Sequence, residues 1–163
     1  MQGARSAATK AYRVDRRGSE HRATQRFSSA AIYSACPKAM MNHEPGSDPN
    51  CIFCKIVRGE LPSRKVFEDD DVLAFHDINP VAPLHVLVIP KRHLPTLADA
   101  GPEDQAVLGK MLLVATRVAH DLGSTEGFRT IINVGRIGRQ DVFHLHMHVL
   151  GGPKPLGRMI QPE

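Results

Sequence analysis

Apolar and polar side chains alternate strictly from residue 144 to residue 149, which is the pattern of a half-buried β-strand. Because successive side chains of a strand point to opposite faces, the apolar members would enter a core while the polar members share the other face. The apolar members are Leu145, Met147 and Val149, and the polar members are His144, His146 and His148. We call the second set the histidine row. Packing does not readily explain three imidazoles in register, so the row predicts a functional site.

The apolar pattern upstream of the row predicts a short helix and three strands. Residues 52–57 form an amphipathic helical turn before the helix breakers Gly59 and Pro62. Residues 66–68 and 72–76 are predicted as the two strands of a hairpin around three consecutive aspartates. Residues 85–89 are predicted as a β-branched strand that Pro90 stops.

A long helix is predicted over residues 102–122. Pro102 suits the first helical position, and Gly123 supplies a C-terminal stop. The apolar face at helical spacing comprises Leu108, Met111, Leu112, Ala115, Val118, Ala119 and Leu122. Residues 128–134 form a fourth predicted strand, and a glycine-bearing loop, residues 135–141, leads into the histidine row. This order of elements predicts an antiparallel α+β domain.

The charge of the chain is unevenly distributed. Residues 1–40 hold eight of the 21 Lys and Arg residues but only two of the 17 acidic residues, so the remainder is slightly acidic. The basic pI therefore belongs to the N-terminal segment, and we predict no nucleic-acid partner. No apolar stretch is long enough to span a bilayer, so we predict no membrane association either.

Residues 1–49 are predicted to be a disordered N-terminal extension, residues 50–157 a single folded domain, and residues 158–163 a C-terminal tail. The extension is rich in Arg and Ser and poor in acidic residues, as an organelle transit peptide would be. We favour the alternative that translation starts at Met40 or Met41. Three cysteines do not form a secreted disulfide framework, so the predicted location is cytoplasmic unless the extension is genuine.

The row needs partners for chemistry, and the sequence offers several. Imidazole can act as a base, an acid, a nucleophile or a metal ligand. The loop before the row could offer backbone amides to an anion, with Arg136 and Arg139 as phosphate contacts or as solvated charges. Asn133 ends the preceding strand. Asp77 follows another strand, where it could accept ribose hydroxyls or simply cap a turn.

A second motif is the CxxC pair Cys51 and Cys54, a common half-site for zinc. The chain has no second CxxC, so histidines must complete the ligand set, and the candidates are His93 and His144. A redox pair and two merely buried cysteines are the competing interpretations. The redox interpretation is the weaker one because no thioredoxin-like strand–helix setting surrounds the pair.

Several segments in this order resemble the histidine-triad superfamily, and within it the nucleoside phosphoramidase branch, over about residues 51–157. They are Phe75-His76-Asp77-Ile78, the run from His85 to Lys91, Asn133, and the run from Gln140 to Gly152. The resemblance implies a HIT-like fold with a five-stranded antiparallel sheet, one long and one short helix, and a homodimer whose two sheets join. It also implies a purine nucleotide partner and hydrolysis of a phosphorus–nitrogen bond.

The resemblance further implies a role for each site residue. His146 would be the nucleophile, His148 would contact the phosphate and the leaving group, His85 would support His146, and His144 would orient the row. The implied nucleotide contacts are Asp77, Ile78, Asn133, Arg139, Asp141, Val142 and His148. Cys51, Cys54, His93 and His144 would bind a structural zinc, and no cofactor would be required for catalysis.

Two positions depart from the pattern of the family, and other functions remain open. Asp141 stands where animal members usually have serine, and a carboxylate there could favour an ammonium-bearing leaving group. Arg139 stands where glycine is common. The alternatives are a dinucleoside polyphosphate hydrolase, a nucleotidyltransferase, a nucleotide-binding regulator with incidental catalysis, and a hydrolase that binds its catalytic metal through the row.

Overall fold

The computed structural model describes residues 47–158. The predicted N-terminal extension falls outside this range except for its last three residues, and the predicted C-terminal tail falls outside it except for its first. Two α-helices and five strands are present in the described part: α1 (Ile52–Val57), β1 (Lys65–Glu68), β2 (Val72–His76), β3 (Leu84–Pro90), α2 (Gln105–Asp121), β4 (Arg129–Ile131) and β5 (Met147–Gly151). No described helix is long and apolar enough to cross a membrane.

The strands form one antiparallel sheet in the order β1-β2-β3-β5-β4, which confirms the predicted α+β class. The chain inserts β5 between β3 and β4. In this register His148 of β5 lies opposite Leu87 of β3, two residues from His85. Since side chains two apart on a strand share a face, His85 and the histidine row meet on the same side of the sheet.

Each face of the sheet has its own apolar core. On one face α2 covers a cluster that includes Val86, Val88 and all three apolar residues that alternate with the row. On the other face α1 packs through Phe53 and Ile56 on a smaller cluster. The predicted alternation is therefore confirmed, and the histidines lie on the face that α1 covers.

The hydrogen-bonded strand of the row is shorter than its alternation predicts. β5 begins at Met147, so His144 and His146 precede it. The main chain there has another partner, because the Leu145 N–H donates to the Leu94 carbonyl at 2.6 Å. Alternation of side chains needs only an extended backbone, whereas a strand assignment also needs a hydrogen-bonded neighbour. The backbone is extended along the whole row, but only its last part is paired.

Two other predicted elements differ from the structure. The long helix starts with a 3₁₀ turn, Pro102–Asp104, because the Asp104 carboxylate accepts the Gly101 N–H at 3.0 Å and caps the first turn. β4 is confined to Arg129–Ile131, since the chain turns into the loop earlier than its apolar content suggests. On α2 the buried stripe includes Val114 and leaves Leu112 exposed, contrary to the predicted face. Leu122, also predicted on this face, lies just after the helix and is exposed.

Candidate active site

Four imidazoles lie close together on the α1 side of the sheet. β5 carries His148, the neighbouring β3 carries His85, and the segment before β5 carries His146 and His144. The Nε2 atom of His85 lies 2.9 Å from Nδ1 of His148, and the ring centroids of His146 and His148 are 5.1 Å apart. Three catalytic histidines predicted from sequence are thus brought together, and the fourth, His144, lies at the end of the same row.

A chain of hydrogen bonds fixes the tautomers of two of these rings. The Val81 N–H donates to Nδ1 of His85 at 3.3 Å, so the proton of neutral His85 belongs on Nε2. That N–H donates to Nδ1 of His148, which leaves the proton of neutral His148 on its own Nε2. Asp77 Oδ2, 3.4 Å from His85 Nε2, is the acid nearest this pair. His148 therefore has an N–H donor free for a bound ligand.

In His146, unlike in His85 and His148, the ring proton is on Nδ1. Its Nδ1–H donates to the main-chain carbonyl of His144 at 2.7 Å, so Nε2 keeps an unprotonated lone pair. The ring is buried, and the edge of Phe53 packs against it with centroids 5.4 Å apart. A neutral imidazole with a fixed lone pair is suited to nucleophilic attack.

Burial lowers the pKa of three other rings of the site. It lowers the pKa of His148 to about 4, with further lowering by the neighbouring rings of His146 and His85. It also lowers the pKa of His85, although the Asp77 carboxylate opposes that shift. The pKa of His144 falls to about 4 for the same reason. At neutral pH these rings carry no charge, so they present tautomer-specific donors and acceptors to a ligand.

Acid is expected to destabilise the fold through these shifts. The unfolded chain binds a proton at His148 near pH 6.5 and the folded chain only near pH 4, so stability is full above about pH 6.5 and is lost as pH falls towards 4. Urea unfolding at pH 7.5 and pH 5 measures this loss. His148→Gln should reduce it by about 1–2 kcal/mol, allowing for the partial exposure of the ring. An unchanged pH dependence in the variant would show that His148 is not responsible.

The loop before the row is closed by the side chain of Gln140, which sequence reasoning did not single out. This buried amide accepts the Gly135 N–H at 3.0 Å and donates to the carbonyls of Pro95 and Val142 at 2.7 and 2.9 Å. A polar residue just before an alternating strand was the available signal. Gln140 thus joins the two ends of the loop to the segment after His93.

The predicted nucleotide contacts differ in exposure and in their hydrogen bonds. Asp77 Oδ1 accepts the Asn79 N–H at 2.7 Å, so this residue does cap a turn, and Ile78 next to it is 88% exposed. Asn133 Nδ2 donates to the carbonyl of Arg139 at 3.5 Å. Asp141 is exposed, and Val142 packs against the smaller core.

Arg139 adopts a backbone conformation that ordinarily favours glycine. Its φ is +57°, in the left-handed region, where a side chain costs about 1 kcal/mol. This explains in physical terms why glycine would be common at the position. The loop tolerates the arginine because its own backbone bonds, such as Gln140 N–H to the Gly135 carbonyl at 3.0 Å, define the turn.

A second cluster, which we call the Cys₂His₂ cluster, consists of the predicted metal ligands Cys51, Cys54, His93 and His144, all of them buried. Sγ of Cys51 lies 3.4 Å from Nδ1 of His144, and Sγ of Cys54 lies 3.3 Å from Nδ1 of His93. The two Nδ1 atoms are 3.3 Å apart. His144 Nε2–H donates to the Pro90 carbonyl at 2.9 Å, which directs its Nδ1 lone pair into the cluster. Such a donor set can bind a metal ion.

Residues 58–154 match the family model of the HIT domain, which covers more than half of the chain. The chain belongs to the HIT family. This HIT protein is 54% identical to Protein HitA of Neisseria gonorrhoeae over 104 residues, 64% of this chain and 97% of that protein. It is 49% identical to Purine nucleoside phosphoramidase of Escherichia coli K12 over 110 residues, 67% of this chain and 92% of the relative.

A solved structure of a HIT family relative shows the same architecture. The histidine triad protein from Clostridium difficile superposes with a TM-score of 0.65 at 46% identity, covering 69% of this chain and 98% of that one. The predicted superfamily membership is thereby confirmed.

Phe53 is a site residue that the sequence reasoning missed. It lies inside the CxxC motif and makes edge contacts with the rings of His144 and His146, with centroids 5.8 and 5.4 Å apart. It also contacts Phe75 of β2. A single aromatic residue between two cysteines was the available signal, but only the fold places it against the row.

Proposed function

We propose that this HIT protein hydrolyses the phosphorus–nitrogen bond of purine nucleoside 5′-phosphoramidates, releasing the nucleoside monophosphate and an amine. The observation that carries the proposal is the fixed tautomer of His146, whose Nδ1–H is bound to the His144 carbonyl, while no donor within residues 47–158 occupies its Nε2 lone pair. The 49% identity to Purine nucleoside phosphoramidase of Escherichia coli supports a nucleotide-hydrolase function.

In the first step Nε2 of neutral His146 attacks phosphorus and the phosphorus–nitrogen bond breaks. The attack brings no like-charge repulsion against the anionic phosphoryl group. The amine cannot leave as an anion, so it takes a proton from Nε2–H of His148. The anionic substrate offsets the burial of the His85–His148 pair, so the pair binds one extra proton with the substrate, at Nδ1 of His85, where the Asn79 main chain accepts it. When His148 gives its Nε2–H to the amine, its Nδ1 takes the Nε2–H of His85, and the pair is left neutral. The products are a free amine and a nucleotidyl-His146.

In the second step water attacks phosphorus and the bond to Nε2 of His146 breaks. The neutral His85–His148 pair accepts the proton of the water and returns to its charged form until the product leaves. Throughout, the His144 carbonyl stabilises the positive charge that the nucleotidyl imidazole carries, because it accepts the Nδ1–H at 2.7 Å. Dividing one difficult displacement into two steps is the advantage of the covalent route.

The nucleotide is proposed to lie along the predicted contacts. Asp77, already turned towards His85, would accept a ribose hydroxyl, and the exposed Ile78 would contact the purine. Asn133 and the loop that carries Arg139 would bind the phosphate oxygens. The exposed carboxylate of Asp141, which raises the pKa of His148 slightly against burial, would lie near the leaving group and favour a cationic one.

A substrate comparison tests this proposal. Purified protein is given adenosine 5′-phosphoramidate, diadenosine polyphosphates and AMP under the same conditions, with and without a chelator. We expect the phosphoramidate to be turned over fastest, also with the chelator present. Faster cleavage of a polyphosphate would replace the proposal with the dinucleoside polyphosphate hydrolase. Binding of AMP without turnover of any substrate would favour a regulatory nucleotide-binding protein.

We also propose that the Cys₂His₂ cluster binds a structural zinc ion. Tetrahedral zinc, with Zn–S near ~2.3 Å and Zn–N near ~2.0–2.1 Å, places its ligand atoms roughly 3.3–3.8 Å from one another. The separations of 3.3–3.5 Å between the sulfur and nitrogen atoms of the cluster already fit that geometry. Burial raises the pKa of the Cys54 thiol, so a bound cation is what would stabilise the thiolate there. The ion would fix α1 against the row, and no catalytic step requires it.

A homodimer is proposed from the exposed face of α2 and the edge of the sheet. Leu112 and Leu113 are 53% and 74% exposed on this helix. Within residues 47–158, β4 pairs only with β5 and has an open outer edge. A cavity of about 310 Å³ at this edge is lined by residues 126–129 and 151–156, away from the histidines. A second copy would cover these apolar groups and extend the sheet.

The double variant Leu112→Glu/Leu113→Glu is expected to be monomeric at micromolar concentration. Each buried carboxylate would cost an apolar interface several kcal/mol. Light scattering after size-exclusion chromatography measures the mass. Leu61→Glu makes the same chemical change at an exposed site far from α2 and should leave the dimer intact. A dimeric double variant would exclude this face of α2 from the interface.

A further inference from the structure

We propose that a metal ion in the Cys₂His₂ cluster sets the rate of attack by His146, because it fixes the His144 main chain that selects the reactive tautomer of the nucleophile. The proposal rests on the function proposed above. It states that metal binding in the Cys₂His₂ cluster is coupled to the reactivity of His146. The affinity for the nucleotide is expected to be the same with and without the metal ion.

The segment that carries the nucleophile is not fixed by the sheet. β5 begins at Met147, so the main chain of His144 and His146 lies outside the strand ladder. Besides the burial of Leu145 in the main core, this segment is held through the cluster. The His144 ring is fully buried between two cysteines, His93 and the Pro90 carbonyl.

A second connection ties the two histidine ligands to each other. The residue after His93 is Leu94, and its carbonyl accepts the N–H of Leu145, the residue after His144, at 2.6 Å. A metal bound by both histidines would therefore close a ring of bonds around residues 93–94 and 144–145. The next polar contact along the chain is the His144 carbonyl with Nδ1–H of His146 at 2.7 Å.

The carbonyl position decides which nitrogen of His146 is reactive. With Nδ1–H bound to it, the lone pair is on Nε2 and faces the site. If the segment shifts and the bond is lost, the proton can move to Nε2, and that tautomer cannot attack phosphorus. One hydrogen bond corresponds to a factor of about three to ten in this equilibrium. The predicted ligands of ribose and phosphate, Asp77 and Asn133, lie on other segments, so nucleotide binding should persist.

The test compares zinc-loaded protein with protein stripped by a chelator, each in the full chain. Nitrogen NMR of ¹⁵N-histidine-labelled protein at pH 7.5 reads the tautomer of His146 without substrate. We expect the Nδ1–H form in the loaded protein and a mixture in the stripped protein, with kcat lower by about three- to tenfold and AMP affinity unchanged. The same His146 tautomer and the same kcat in both folded forms would overturn the proposal.

Two controls separate coupling from loss of stability. Val114→Ala removes methyl groups from the core on the other face of the sheet, and it should lower thermal stability while leaving the His146 tautomer unchanged. If the stripped protein unfolds, cadmium replaces zinc, since its longer bonds shift His144 while the cluster stays filled. Identical His146 signals and kcat with both ions would then overturn the proposal. Because the tautomer is read without substrate, the result stands even if no phosphoramidate is hydrolysed.

Discussion

Replacing His146 with alanine is expected to reduce hydrolysis of adenosine 5′-phosphoramidate by at least about 10⁴-fold. The variant removes the only group placed to form a covalent bond to phosphorus in the proposed route. AMP affinity should change little, because the nucleotide contacts come from other residues. Steady-state kinetics and calorimetric AMP titration measure the two quantities.

His120→Ala is the matched control for this variant. His120 is an exposed histidine on α2, the helix that covers the opposite face of the sheet from the row. The His120→Ala variant should retain the wild-type turnover of adenosine 5′-phosphoramidate. If His146→Ala kept more than about one hundredth of wild-type activity, a different nucleophile, or water activated by the remaining rings, would have to carry the reaction.

Loss of His148 is expected to depend on the leaving group. His148→Ala should slow release of an alkylamine by about 10²- to 10⁴-fold, since the amine then lacks its acid. The 4-nitrophenyl ester of AMP releases 4-nitrophenolate, a stable anion that needs no proton, so its release should slow by less than about tenfold. Parallel assays of the two substrates with wild type and variant give this ratio.

Equal losses on the ester and on the phosphoramidate would contradict the assignment of His148 as the acid. They would instead indicate that its Nε2–H stabilises the phosphoryl oxygens, a role that does not distinguish leaving groups. His85→Asn offers a second comparison. It removes the N–H that donates to Nδ1 of His148, and so it should show the same dependence on the leaving group to a smaller extent.

The sequence predicts much of this site because the responsible patterns are local. Alternation at residues 144–149 is a property of extended backbone, and it correctly assigns the three histidines to one face and Leu145 to the core. The CxxC motif is equally local, and the sequence offers His93, after the strand that Pro90 stops, and His144, the first histidine of the row, as its partners.

The contacts that were missed depend on elements far apart in the chain. Phe53 reaches His146 only after α1 docks on the sheet, and Gln140 reaches Pro95 across 45 residues. The start of β5 at Met147 likewise depends on its pairing with Val88 of β3, which periodicity within one segment does not contain. The exposed Leu112 is predicted to face the core because spacing alone does not distinguish the core side of an apolar face from its exposed margin.

The central claim is that His146 becomes covalently nucleotidylated, and rapid-quench mass spectrometry of the protein mixed with adenosine 5′-phosphoramidate tests it most directly. The account predicts an adenylyl adduct that maps to His146, forms within one turnover, and is absent from His146→Ala. Turnover without any adduct, or an adduct on another histidine of the row, would contradict the account.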